Sequence, residues 1–347
     1  MRFIKIADIH LSLYGQDPYI EGLPERLYNL NQVLRRVANY ALENEISKIV
    51  IGGDVFHTKS IIHSVAQSVL LDYINEYTRK GLEFIIIDGN HDMSSKSGDG
   101  VSALKCLDSI SGVDMIHTPK VIENILFVPW NAKTMEETIK RGDQDYLISH
   151  FGLNEAELNS GISIVSDLGL DDLRRFRHCY LGHYHKGQTV GNVTYVGSIM
   201  QMDWGEKGED KRFLVIDTSA GTHHSILTSG YKKHYELEIN TENKEIIIAE
   251  ARKLKEDGHH VKINKVEAAV DLTEIKDEFR VVDKTIRNIT NRGISTTMSA
   301  DDKLKRYLTI KEIPIELTEQ YLTVAKTIMD ECSGVTVETK AEEQNVR

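Results

Sequence analysis

An α/β layered fold with parallel pairing at its centre is predicted by three observations. Short runs rich in Ile, Val and Phe alternate with amphipathic stretches of helical period as far as residue 217. Five of the runs end on Asp, His or Asn, usually beside Gly, and ligands of parallel α/β sheets gather outside the carboxyl ends of strands. From about Lys233 the texture changes to a small α+β pattern, then to two helices. The expected units are a main domain over residues 1–230, a cap over 231–292, a linker over 293–302, a helical segment over 303–335 and a polar tail over 336–347.

Each element has its own warrant. Residues 2–7 enrich β-formers and lead into Asp8-Ile9-His10. Within residues 23–44, Leu27, Leu30, Val33, Leu34, Val37 and Ala41 recur at helical spacing. Residues 48–51 form a strand that ends at Gly52-Gly53-Asp54-Val55-Phe56-His57, and residues 61–79 read as the next helix. The apolar run 83–88 is a buried strand ending at Gly89-Asn90-His91-Asp92. After a polar loop, 94–100, and a short helix, 101–109, strands are expected near 114–117 and 125–129. A helix over 134–141 precedes the strand that reaches His150, and another strand, 178–181, ends at Gly182-His183-Tyr184-His185. Strands near 194–196 and 212–217 close the main domain. In the cap, residues 235–239, 242–255, 260–266 and 280–289 together suggest a small α+β module. Residues 291–302 are polar and contain Gly293, as a linker would. Helices over 303–311 and 317–331 flank Pro314, the second carrying Leu317, Tyr321, Val324, Ala325 and Ile328 on one stripe.

Composition narrows the function classes. With 40% hydrophobic and 27% charged residues the chain can bury a sizeable core. No run approaches the length of a membrane-spanning helix, and the start passes straight into a strand without a signal-peptide layout. Cys106, Cys179 and Cys332 are far apart, which predicts reduced thiols in a cytoplasm-like compartment and neither a disulfide nor a cysteine metal site. A net charge of −11 counts against gripping nucleic acid over the whole surface. It leaves a nuclease open, because bound cations and local basic patches can supply the field.

The strand ends collect Asp8, His10, Asp54, Asn90, His91, His150, His183 and His185. Mixed carboxylate, amide and imidazole groups suit Mn²⁺, Fe²⁺ or Zn²⁺, whereas all-oxygen cages suit Mg²⁺ and Ca²⁺. So many groups exceed the needs of one ion with open positions and suit two ions that share a carboxylate. Two ions about 3.5–4 Å apart clamp the attacking and leaving oxygens of phosphoryl transfer. Gly52, Gly53, Gly89 and Gly182 fit a site in which backbones come close. Any one of these histidines alone reads as a packed structural residue; the ordered set does not. His63, His117, His178, His223, His224, His234, His259 and His260 are assigned to surface or packing, and Arg174, Arg175 and Arg177 to a solvated helix face or a DNA contact.

Asp8-x-His10, Gly53-Asp54, Gly89-Asn90-His91-Asp92, His150 and Gly182-His183-x-His185 resemble, in order and spacing, the five motifs of the calcineurin-like metallophosphoesterases. Asp54-Val55-Phe56-His57, and Tyr195-Val196-Gly197-Ser198 followed by Trp204-Gly205-Glu206, narrow the resemblance to the SbcD-type (Mre family) DNA repair nucleases of bacteria and phages. The resemblance covers residues 1–218 closely and the cap and tail only in layout. It implies a layered αββα sandwich with a small α+β cap and a C-terminal helical hairpin. It also implies two divalent ions, manganese or magnesium. Asp8, His10 and His185 would hold one, Asn90, His150 and His183 the other, and Asp54 would bridge. His91 would face the scissile phosphate, His57 would help to place substrate, and Asp92 would orient His91. Ser198 reads as a turn residue with a possible bond behind the ligands. The implied partners are DNA, an SMC-like ABC ATPase of SbcC type docked on residues 303–335, and a second copy of the chain. For the dimer, the helices over 27–41 and 61–79 are candidate faces unless their stripes are core. No Gly-x-x-x-x-Gly-Lys-Ser/Thr stretch occurs, so ATP would be the partner's business. The expected location is the cytoplasm of a bacterium or of a phage-infected cell. The alternatives are a phosphatase or phosphodiesterase of small substrates on the same centre, and a metal-binding scaffold for the ATPase.

Overall fold

The computed structural model describes residues 1–13, 17–59, 61–95, 97–98, 100–161, 166–285, 298–311, 313–314 and 317–325. Two six-stranded sheets form its centre. The first runs, edge to edge, Thr222–Leu227, Arg212–Asp217, Arg2–Ile6, Lys48–Gly52, Glu83–Ile87 and Val113–Ile116. Its last four strands pair parallel, and the other two join them antiparallel. The second runs Gln188–Val190, Val193–Tyr195, His178–Gly182, Tyr146–His150, Ile125–Val128 and Lys120–Ile122, with parallel pairing through its middle four.

Strand alternation divides the apolar residues into layers. Phe3, Val50, Ile85 and Ile87 of the first sheet share a core with Phe127, Ile148 and Tyr180 of the second. Their neighbours Ile4, Ile6, Ile49, Ile51, Phe84 and Ile86 face the other way, into the helices Glu25–Glu43 and Ser64–Arg79. On the far side Leu147, Leu181 and Val128 pack with Ile139, Leu173 and Phe176. The result is the expected αββα sandwich. Each fully buried aliphatic side chain contributes about 1.5–3 kcal/mol, so both helix stripes are committed. Leu27, Leu30, Val33, Leu34 and Val37, and Val69, Leu70, Tyr73 and Ile74, are core residues and not dimer faces.

Local boundaries differ where short-range signals are weak. The helix expected from residue 61 starts at Ser64, and that expected over 101–109 is a 3-10 segment, Ala103–Leu107, capped by Ser102. The strands Lys120–Ile122, Gln188–Val190 and Thr222–Leu227 lie at sheet edges and carry little apolar alternation.

The cap has its own small core of Ile239, Ile248, Ala251, Ile263 and Phe279. Its strands His234–Ile239, His260–Lys265 and Arg280–Asp283 all pair parallel, the helix Lys244–Glu256 linking the first two. It forms one compact unit with the sandwich, comprising Met1–Lys265 and Ala269–Asp283. Lys232 pairs with Glu25, Lys207 with Glu236, and the His234 amide donates to Gln201 Oε1 at 2.7 Å.

A second unit comprises Val266–Ala268 and Lys284–Arg347. In it the helix Ala300–Ile310 starts earlier than expected, because the Ser299 side chain accepts from the Asp302 amide. Residues 317–325 are helical, and Leu317, Tyr321 and Val324 of the apolar stripe are exposed. Most of the linker, Ile328, the end of the second helix and the polar tail lie outside the described residues. Among the described residues no helix is long and apolar enough to cross a membrane.

Candidate active site

The parallel strands of the sandwich bring their carboxyl ends together. Beyond the strands, the loop after Ile6 continues alongside the loop after Gly52. Asp8 N donates to Gly53 O at 3.1 Å, His10 N to Asp54 O at 3.0 Å and Leu11 N to Val55 O at 2.8 Å. Asp8, His10, Asp54 and His183 have positive φ, at 53°, 52°, 53° and 99°. Asp and His tolerate this region better than most side chains, yet it is uncommon and clusters at functional sites. Gly89 lies so close to the Asp54 loop that a Cβ there would meet Asp54 N and Oδ1 at 2.2 Å. The closeness lets the His91 amide donate to Asp54 Oδ1 at 2.8 Å.

Side chains from both sheets converge. Asp8, His10 and His185 present ligand atoms within 4.8 Å of one another, as do Asp54, His150 and His183. Asn90 Oδ1 lies 3.1 Å from His150 Nε2 and 3.0 Å from His183 Nδ1. Asp54 stands between the groups, its Oδ2 3.2 Å from His150 Nε2 and 3.7 Å from His10 Nε2. His150 Nδ1 is 2.8 Å from Gly52 O and His185 Nδ1 is 2.7 Å from Glu206 Oε1. Those acceptors hold a proton on Nδ1 of each ring, so Nε2 faces inward and offers a lone pair whenever the ring is neutral. His10 Nδ1 approaches His57 Nδ1 at 3.4 Å, and His10 Nε2 approaches His185 Nε2 at 2.9 Å. Lone pairs at that separation repel unless a proton or a cation lies between them. The donor set therefore fits cations, with Asp8, His10 and His185 able to hold one and Asn90, His150, His183 and Asp54 another.

Charge is distributed unevenly. Burial pushes the Asp8 carboxyl up against the pull of His150 and His185. Burial acts on Asp54 in the same sense, but His150 and His10 hold it well below the carboxylate range. Burial opposes a proton on His150, yet Asp54 draws it up to about 9. His183 goes the opposite way, to about 4, through burial and the neighbouring His150. A buried carboxylate and an imidazolium thus neutralise each other across the place where the donor atoms meet.

His91 and His57 join His10 in a third group within 4.8 Å. The His91 ring is oriented by the His57 carbonyl, 2.5 Å from its Nδ1. This corrects the expectation for Asp92. Its buried carboxylate accepts from Gly89 N at 2.9 Å, Phe56 N at 3.0 Å and Val55 N at 3.3 Å, and so ties two loops together instead of steadying the His91 ring. Burial and the charge of Asp54 push this carboxyl up to about 8.

Two residues behind the site have roles that the sequence did not reveal. Glu206 places Oε1 on His185 and Oε2 on Lys211 at 2.8 Å and Met202 N at 3.0 Å, with Ser198 Oγ also at 3.0 Å. Its own signal was the Trp204-Gly205-Glu206 stretch, which gives no hint of what the carboxylate meets. Lys5 occupies an intersheet position in its strand and is fully buried, its Nζ 3.3 Å from Leu181 O. Burial lowers it to about 8, with Asp8 countering. Of the arginine cluster, Arg174 pairs with Asp171 at 2.7 Å and Arg175 reaches the Lys140 carbonyl.

A family model of the calcineurin-like phosphoesterases matches residues 1–187, more than half of the chain. Among curated proteins, Exonuclease subunit 1 of Enterobacteria phage T4 is 21% identical over 346 residues, covering 95% of this chain and 94% of that one. The SbcD component of the SbcCD nuclease of Staphylococcus epidermidis is 24% identical over 318 residues, 78% of this chain and 81% of that one. The DNA double-strand break repair protein Mre11 of Archaeoglobus fulgidus is 21% identical over 242 residues, 61% of this chain and 53% of that one. The chain belongs to the calcineurin-like phosphoesterases, hydrolases of phosphoester bonds that use divalent metal ions.

Proposed function

We propose that this phosphoesterase is a manganese-dependent DNA nuclease, the cleaving subunit of a DNA-end-processing complex with an SMC-like ATPase. The observation that carries the reading is the pair of donor groups facing each other across Asp54, with His91 and His57 beside them. Similarity to named nuclease subunits, in one case over 94% of the relative's length, supports DNA as substrate. The separate C-terminal unit with its exposed apolar stripe supports a docking role for residues 303–335.

Asp8, His10 and His185 would hold one ion, Asn90, His150 and His183 the second, and Asp54 would serve both. Bound there, the ions supply Lewis acidity at the phosphate and a nucleophile near neutral pH. The chain's own groups do the rest. With Nδ1 held against the His57 carbonyl, His91 presents Nε2 to the scissile phosphate; protonated, it donates to the leaving oxygen. Glu206 keeps the His185 proton on Nδ1, away from the ion. The Gly52 carbonyl does the same for His150.

The test compares manganese-dependent hydrolysis of linear duplex DNA with that of a small phosphodiester and a phosphomonoester. Cleavage of the small substrates alone would replace the nuclease reading with a small-substrate phosphoesterase. Full metal loading without any cleavage would leave a scaffold for the ATPase. His91→Ala should keep both metal equivalents by elemental analysis and lose DNA cleavage; loss of a metal equivalent would make His91 a ligand. The second copy of the chain that the resemblance implies is tested by sedimentation of the purified chain.

A further inference from the structure

Beside His183 lies a cavity of about 240 Å³ that the chemistry above leaves unused. Its walls are Trp130, Met135, Phe151 and Leu168, its floor is Gly152 and the His183 ring, and Glu136 and Asp167 stand in its lining. The strand ends that build the metal-binding groups also build this cavity. Phe151 and Gly152 directly follow His150, and Trp130 follows the Ile125–Val128 strand, its amide donating to the Asp88 carbonyl at 2.9 Å. A Cβ on Gly152 would stand 3.3 Å from His183 Cδ2 and 2.7 Å from Tyr184 Oη, so only glycine leaves this floor open. The His183 ring turns Nδ1 toward Asn90 while Cδ2 faces Gly152, so the cavity begins one imidazole width from the donor atoms. Lys59 Nζ lies 5.9 Å from the Trp130 ring centroid.

Ligand pockets for drug-sized molecules run to about 300–1,000 Å³. This one is smaller and takes a single ring system. Aromatic and thioether walls suit a flat π-face, and stacking on aromatic side chains is tolerant of base identity.

We propose that the Trp130–Phe151–Leu168 cavity receives the nucleobase of the nucleotide adjoining the scissile phosphate. The proposal rests on the nuclease reading above. It makes the enzyme read one unstacked base per cleavage, by shape and stacking and not by sequence.

The experiment uses the full chain with manganese and four dinucleoside phosphates. One carries both bases, two lack one base each, and one lacks both. Trp130→Ala should lower kcat/KM by about tenfold, mostly through KM, on substrates that keep the seated base. It should leave the doubly abasic substrate unchanged, and Trp130→Phe should recover most of the loss. Ala132→Trp, which plugs the cavity from an exposed position without removing a core ring, should give the same substrate-selective loss. Equal losses on all four substrates, or no loss on any, would overturn the base pocket and leave the nuclease reading standing. If the unaltered chain hydrolyses neither the four nor linear duplex DNA yet hydrolyses a phosphomonoester, the nuclease reading falls and the pocket with it; cleavage of duplex DNA with none of the four hydrolysed overturns the pocket alone.

Discussion

Glu206→Gln is the most informative single change, because the amide cannot serve both sides of the carboxylate it replaces. Oε2 of Glu206 meets Lys211 Nζ at 2.8 Å and Met202 N at 3.0 Å, whereas Oε1 meets only His185 Nδ1 at 2.7 Å. A glutamine has one acceptor oxygen, and a buried cation with a backbone amide outweighs one imidazole N–H. The amide NH₂ therefore turns to His185 and can only be accepted if Nδ1 loses its proton. The neutral ring then carries that proton on Nε2, the nitrogen that stands 2.9 Å from His10 Nε2. A protonated nitrogen is no ligand. Loss of an orienting partner costs about 10–100-fold in metal affinity, and reversal of the tautomer places this variant at the upper end, about 2.7 kcal/mol. Lys211 keeps Glu209 at 2.7 Å and the His185 carbonyl at 2.9 Å, so the fold loses only about 2 kcal/mol, less than for a fully orphaned buried charge. Calorimetric titration with manganese should show one of two sites weakened, the Asp8–His10–His185 group, with the other near its original affinity. Equal weakening of both sites, or unchanged binding, would refute the tautomer argument.

His117 bridges Asp88 Oδ2 at 2.7 Å and Asp108 Oδ1 at 2.9 Å, and the hydrogen bond to Asp88 leads in raising it from 6.5 to about 9. A raised folded value means the contribution is complete below pH 6.5 and is lost as pH rises through about 9. For a partly exposed ring it is about 1–2 kcal/mol after solvent screening. Urea unfolding between pH 6 and 10 should show this slope in the native chain and not in His117→Gln; equal slopes would contradict it. Asp92→Ala leaves three backbone N–H groups of two loops without their acceptor and should cost about 3 kcal/mol or more, measured by chemical denaturation. A loss confined to kcat with full stability would instead restore Asp92 to the His91 ring. Deleting residues 303–347 should spare manganese-dependent cleavage and abolish co-purification with the ATPase; unchanged co-purification would sink the docking assignment.

The strands that carry the site were legible because each is an apolar run closed by Gly, Asp, His or Asn, and that signal is local. Asp8, His10, Asp54, Asn90, His150, His183 and His185 were all named from it, and the structure brings them together. Edge strands such as Gln188–Val190 were missed because three residues, none of them buried, are too few to show the alternation that marks a strand. The roles of Asp92 and Glu206 were illegible for a different reason. Each depends on which backbone or side chain lies across a tertiary contact, and no spacing in the sequence encodes that. Lys5 was hidden by its own strand, since a lysine among apolar neighbours reads as the solvent-facing member of an alternation. Its face is instead the seam between two sheets.

His10 and His185 meet although 175 residues separate them, and His150 reaches the Gly52 carbonyl across 98. No hairpin or single βαβ unit holds either ion-binding group whole, because Asp8, His10, Asp54 and Asn90 follow strands of the first sheet and His150, His183 and His185 follow strands of the second. Loop-closure entropy makes such contacts late events in folding. Ion capture is therefore a clock on the final docking of the two sheets. A chain stalled with each sheet formed separately would have nearly all its secondary structure and neither two-sheet ion group complete, and tight manganese uptake followed spectroscopically during refolding would lag the recovery of helix and strand.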